Sequence, residues 1–214
     1  MARIASVFCA ILVMASLSAC ATSRSVVDIK SAPLAVTAAP AAGPAVRLVK
    51  VTDARLFDAE PPESSTPSLS SSDINNSALK ARAVGRKRNT YGMALGDVML
   101  PEGQTVSGLL TTATETGLTR AGFRVLHKGE PGYDAAAPVE LWINKYWSWV
   151  TLGALEGTFH NQAEIELTSD LPAFHKTTIV KGGAEEGGWK GSWETVATKG
   201  LNDLIDHVAT AFAK

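Results

Sequence analysis

The sequence predicts an α+β protein, a two-layer sandwich in which a mixed, mostly antiparallel sheet is covered on one face by two helices. Three observations carry this. Val139, Leu141 and Ile143 alternate with Glu140, Trp142 and Asn144, the period of a half-buried strand, and a second alternating run follows from Phe159 to Leu167. Two stretches, Val106–Ala121 and Ala197–Phe212, instead repeat their apolar residues every three or four positions, as amphipathic helices do. The order is strands, helix, strand, three-strand meander, helix. A meander pairs antiparallel and leaves one face to water, while two amphipathic helices need a sheet face to cover.

Taken in order, the chain begins with a single positive charge, Arg3, before an apolar run from Ile4 to Leu17. That run is shorter than the roughly 18–20 residues a membrane-spanning helix needs, and small residues follow it, the layout of a secretory signal. Leu17-Ser18-Ala19-Cys20 resembles the lipobox of bacterial lipoproteins. The resemblance implies that residues 1–19 are a signal peptide and that Cys20 becomes an acylated N-terminus. The anchor it implies is a diacylglyceryl group, usually with a third acyl chain such as palmitate. One acyl chain holds a protein to a bilayer only marginally, whereas two or more hold it firmly. Ala21, where inner-membrane lipoproteins typically carry Asp, implies the outer membrane, with the domain facing the periplasm.

Cleavage before Cys20 leaves 19 basic and 21 acidic residues, a balance too even to predict a nucleic-acid partner. Cys9 leaves with the signal and Cys20 is consumed as a thioether, so no disulfide is expected and an apolar core must stabilise the domain. Residues 20–44, rich in Ala, Ser, Thr and Pro, read as a tether, with Val26–Ile29 as a possible short strand within it. A single domain is expected over 45–214. Val46–Val51 is its first clear strand. The Ser- and Pro-rich segment at about 57–82 reads as a mobile loop, being too poor in apolar residues to bury itself.

Val84–Arg88 and Met93–Leu100 read as two strands around an Asn89–Gly92 turn. A helix starts near Gln104 or Thr105 and ends at Gly122, placed as a left-handed C-cap. Phe123–Leu126 begins a strand. The strand from Val139 continues through Trp149 and turns near Gly153 or Gly157, and Lys176–Lys181 closes the meander. Gly182–Gly191 reads as a glycine-rich loop, and Ser192 caps the last helix.

Gln104-Thr-Val-Ser-Gly-Leu-Leu, followed by Gly117-Leu118-Thr119-Arg120-Ala121-Gly122-Phe123-Arg124-Val125, resembles the helix-to-strand passage of YajG-type lipoproteins of the Gram-negative outer membrane. The resemblance spans roughly residues 101–214 and brings no catalytic residues. The long Ser/Pro segment departs from that compact pattern.

Motifs for catalysis are missing. His127, His160, His175 and His207 lack metal-ligand spacing and read as surface residues; no metal or other cofactor is expected. No Gly-x-Ser-x-Gly elbow occurs. Gly183–Ser192 fails as a phosphate loop, because Trp189 and Gly191 interrupt the required order and Glu185 and Glu186 would repel an anion. Glu164 and Glu166 alternate with Ile165 and Leu167 and fit a solvated strand face.

The strongest lead is the basic run Lys80, Arg82, Arg86, Lys87 and Arg88, with no acid between Ile74 and Gly96. On an exposed edge, Arg86, Lys87 and Arg88 would meet phosphates of lipid A or anionic lipid headgroups. The same charges would also blunt an edge strand against aggregation. Trp142, Tyr146, Trp147 and Trp149 form a candidate aromatic surface for sugar rings or a partner protein; odd and even positions put them on two faces, so one pair lies off the main core or under another element. The expected function is therefore a non-enzymatic outer-membrane lipoprotein binding an envelope protein or a glycolipid such as lipopolysaccharide. The alternatives are a periplasmic hydrolase with an unrecognised site, or an auxiliary lipoprotein subunit of an envelope transport machine.

Overall fold

The computed structural model describes residues 24–30, 43–153, 156–188 and 191–213. The expected signal peptide, Cys20 and most of the tether lie outside the described residues. Within them the chain forms an eight-stranded mixed sheet and three helices. The strands are β1 (Ser25–Val26), β2 (Ala45–Asp53), β3 (Ala83–Arg88), β4 (Ala94–Met99), β5 (Arg124–Val125), β6 (Ala137–Leu152), β7 (Gly157–Ser169) and β8 (Lys176–Gly187). The helices are α1 (Ser77–Arg82), α2 (Val106–Arg120) and α3 (Trp193–Ala211).

β6 is the spine. It pairs antiparallel with β7 along one edge, and β7 pairs antiparallel with β8, giving the expected meander. Its other edge is shared. β2 lies parallel to residues 137–143 of it, and β3 meets it at Ser148. β5 flanks β2, while β4 and then β1 flank β3. The longest ladders are thus antiparallel, and the N-terminal strands join β6 in parallel.

Helices α2 and α3 cover one face. Leu110, Ala113 and Leu118 of α2, and Leu201, Leu204, Ile205 and Val208 of α3, bury themselves against Leu141, Ile143, Ile165, Leu167 and Val180. The caps follow the sequence. Thr105 and Ser192 each accept a backbone N–H from the first turn of their helix, and Gly122 takes φ 95°, the left-handed conformation that ends α2.

Four expectations change. First, the glycine-rich loop begins later than expected, because β8 continues through Gly187. A Cβ on Gly182 would stand 2.6 Å from the Leu204 backbone nitrogen, so the glycine is what lets α3 lie directly on this strand. Second, the tether is shortened. β1 pairs with β4, and Val27 and Ile29 are buried in the main core.

Third, the Ser/Pro segment expected as a mobile loop is packed, α1 included, across the face opposite α2 and α3. Phe57, Leu69, Ile74 and Leu79 enclose Trp147 there with Ala83 and Met99. Fourth, the strand carrying the basic run is no edge; β3 lies between β4 and β6. The long free edge is that of β8, where α3 supplies the guard: Asp203 accepts the Gly183 N–H (2.9 Å) and His207 Nδ1 donates to the Lys181 carbonyl (2.6 Å).

Candidate functional site

The β3–β4 hairpin builds the site. Its register sets Arg86 opposite Asp97, and its turn is closed by Asn89, whose Oδ1 accepts the N–H groups of Tyr91 (3.0 Å) and Met93 (2.9 Å). Arg86 and Arg88, two apart on one strand, share a face. Together they line an open cavity of about 440 Å³, whose other wall is Glu60, Ser70 and Ser71 from the packed Ser/Pro segment and whose lip is Met93.

Arg86 is only 9% exposed. Its Nε stands 3.7 Å from Asp97 Oδ1, close enough for attraction but too far for a hydrogen bond, and both Nε and Nη1 are without a hydrogen-bond partner. The reason lies at Asp97, which accepts from Arg24 Nε (3.1 Å). Arg24 reaches on to Asp73 (2.5 Å), which also accepts from Ser70 Oγ (2.8 Å). Arg88 donates to the Gly92 carbonyl (2.8 Å) and to Ser68 Oγ (3.2 Å), and its Nε too is unpartnered. Burial first, and the neighbouring Arg86 charge second, push the Arg88 guanidinium below its ordinary range. Arg86, buried, and Arg88, half-buried, thus stand on one cavity wall, each with at least one guanidinium nitrogen that has no hydrogen-bond partner.

The structure therefore brings together Arg86 and Arg88 of the expected contact but not Lys87, which does not line the cavity. It adds Arg24, Asp73 and Asp97. Asp97, a lone acid in an otherwise apolar strand, had a signal in the sequence that the basic run overshadowed. Arg24 and Asp73 carried no sequence signal.

The expected aromatic surface is dispersed. β6 and β7 are out of step at Asn144, an extra residue that reverses which positions face the helices. Tyr146 consequently points into the core, fully buried, and donates to the Ala197 carbonyl of α3 (2.9 Å). Burial pushes its phenol far above the usual tyrosine range. Trp147 is fully buried on the opposite face, edge-on to Phe57 (5.9 Å between ring centres), with its Nε1 donating to the Ser64 carbonyl (3.2 Å). Trp142 lies under Lys50, whose Nζ is 4.6 Å from the ring centre.

Trp149 stacks on His160 at 5.0 Å, beside a shallow hollow of about 400 Å³. His160, expected at the surface, keeps only 15% of its side chain exposed and pairs with Glu185 (3.0 Å). Glu164 pairs with Lys181 across the solvated face (2.8 Å). Among the described residues, no three His, Cys, Asp or Glu side chains gather as a metal-holding group, and no helix is long and apolar enough to cross a membrane.

No family model matches this chain, and no curated protein does. Among solved structures it is similar to protein XCC0632 from Xanthomonas campestris, with 9% identity, 87% of this chain and 91% of that one covered, and a TM-score of 0.44. It is also similar to a minor lipoprotein from Acinetobacter baumannii, with 12% identity, 50% and 84% coverage, and a TM-score of 0.33. A third is lipoprotein GNA1162 from Neisseria meningitidis, with 9% identity, 72% and 90% coverage, and a TM-score of 0.23. Lipoproteins are thus among the similar structures, but likenesses this distant carry no argument about function.

Proposed function

We propose that this chain is a lipid-anchored, non-enzymatic envelope protein whose domain holds an anionic envelope component against Arg86 and Arg88. The observation that carries the reading is the Arg86 guanidinium, nine-tenths buried on a cavity wall with two nitrogens unpartnered. A buried unsatisfied donor costs about 1–3 kcal/mol, more for a charged group, and an arriving phosphate or carboxylate would relieve it. The anchor rests on Leu17–Cys20, and the outer-membrane placement on Ala21 and on the resemblance of residues 101–214 to YajG-type lipoproteins.

The test is retention of the full chain carrying Cys20→Ala, which cannot be acylated and so meets lipid through its domain alone, on immobilised phosphate-bearing lipids, lipopolysaccharide among them, across a salt series. Retention should weaken as salt rises, because the contact is ionic. Changing Arg86, Lys87 and Arg88 together to Ser should abolish it. Retention that is indifferent to salt, or unchanged in a triple variant with native circular dichroism, would remove the cavity from the reading.

A further inference from the structure

The cavity's place relative to the anchor narrows its ligand. We infer that the Arg86–Arg88 cavity takes the phosphate of a phospholipid in the same leaflet that holds the chain's own acyl groups, with the Tyr91-Gly92-Met93 turn resting on that surface. This rests on the reading that Cys20 is acylated.

The argument begins with Arg24. Four residue steps separate it from Cys20, so the Cα of the acylated residue lies within about 14 Å of the Arg24 Cα. Arg24 is itself clamped to the site by Asp73 and Asp97, the latter the cross-strand neighbour of Arg86. β1 runs parallel to β4, with Ser25 opposite Val98, so its N-terminal end is directed toward the end of β4 that leaves the turn. From the Asp97 row to Met93 is again four residues, about 13 Å along a strand. The turn is therefore within reach of the leaflet that holds the acyl chains. Headgroups of the far leaflet lie a further hydrocarbon core away, about 30 Å, beyond the cavity's reach.

The chemistry of this end of the molecule agrees with the geometry. Tyr91 is 87% exposed and Met93 60%, an aromatic–apolar pair at a turn tip, as befits a surface that meets the headgroup layer. Arg86 and Arg88 line the cavity beside Met93, with Ser70 and Ser71 in its opposite wall. Guanidinium groups match the two free oxygens of a phosphodiester, and Glu60 on the exposed rim is the single acid among the lining residues. No other described part of the surface combines an apolar tip, cavity-lining arginines with guanidinium nitrogens to spare and attachment to the chain's lipidated end.

The experiment uses the acylated full chain carrying Met93→Cys, in which residue 93 is the sole thiol once the signal is cleaved and Cys20 is acylated. It is labelled with an environment-sensitive dye and reconstituted into vesicles of phosphatidylethanolamine and phosphatidylglycerol. The dye emission should shift to shorter wavelength and be quenched by nitroxide-bearing lipids. A dye at Thr177→Cys, on the far strand β8, should do neither. Arg88→Gln and Arg86→Gln should each abolish the shift in a variant whose circular dichroism is native. Millimolar inorganic phosphate should leave the shift intact.

Two outcomes overturn the inference while leaving the anchor standing: an acylated, vesicle-bound chain whose residue 93 reports water, or release of the tip by free phosphate, which would make the ligand a soluble anion. Failure of the underlying reading looks different. Mass spectrometry would then find a second dye on Cys20 and no acyl groups.

Discussion

On the helix side of the sheet the packed groups are apolar and mainly aliphatic: Leu110, Leu118, Leu201, Leu204 and Val208 against Leu141, Ile165 and Leu167. On the other side the covering stretch between Ala54 and Arg82 brings only a few apolar side chains to Trp147, and arginines make up the rest of its attachment. Arg55, its side chain wholly buried, pairs with Asp53 (2.7 Å) and donates to the carbonyls of Lys80 (2.7 Å), Ala83 (2.6 Å) and Tyr146 (3.3 Å). Arg82 forks onto the Leu100 carbonyl through two nitrogens (2.8 and 3.1 Å), and Arg88 reaches Ser68. One face is held by area removed from water, the other by planar donors threaded into main-chain acceptors. The contrast explains why Arg86 matters: in a region where arginines are used up as fasteners, it alone has a guanidinium largely unspent among those that line the cavity.

The sharpest way to break this comparison is to remove the central fastener. Arg55→Ala leaves the Asp53 carboxylate without its partner and strips donors from three carbonyls. The expected loss is about 3–5 kcal/mol, as for breaking a buried pair. Arg55→Lys should recover little of it, since one ammonium cannot span Asp53 and three separate acceptors. Urea unfolding of the full chain measures both. A loss below about 1 kcal/mol would mean that the face is held by its apolar cluster alone.

Leu69→Ala sharpens the same comparison from the other side. Leu69 is fully buried in the middle of the Ser/Pro segment. If that segment is truly packed, the truncation costs about 2–5 kcal/mol, like a leucine of the main core. A value near zero would return residues 57–82 to the mobile loop that their composition suggests.

The two faces also differ in how far the sequence discloses them. The helix-side layer was legible because each part obeys a local rule: period two in β6 and β7, period three to four in α2 and α3, Thr105 and Ser192 as caps, Gly122 at a positive φ. The other side obeys no such rule. Composition counts apolar residues but not guanidinium-to-carbonyl bonds, so a stretch fastened by Arg55 and Arg82 reads as unstructured. Glycines read as loop, although Gly182 serves the close approach of α3. The extra residue at Asn144 shifts Trp147 and Trp149 onto the face of Trp142, which no periodicity announces. Half of the candidate site was visible as a basic run. Its electrostatic partners were not, since Arg24 and Asp97 meet across 73 positions of chain.

The smallest expected effect lies where the two faces touch through β6. Tyr146 points into the helix-side core and donates to Ala197, while its own carbonyl accepts from Arg55 on the other side. Tyr146→Phe removes one buried hydrogen bond and should cost about 1 kcal/mol at neutral pH. Its pH dependence distinguishes this from a packing change. Burial raises the phenol's pKa above its ordinary range, and the Arg55 charge offsets this only in part. Near pH 10 the unfolded chain releases the tyrosine proton while the folded chain keeps it. The unfolded state then binds fewer protons, and stability falls as pH rises further, by up to about 1.4 kcal/mol per unit. Below pH 10 both states hold the proton, and the advantage of the native residue is constant. The gap between the native chain and Tyr146→Phe should therefore be flat up to about pH 10 and close within roughly one unit above it. A gap unchanged through that range would mean that the phenol ionises in the folded protein as readily as in water, and that Tyr146 does not sit in the dry layer between the sheet and α3.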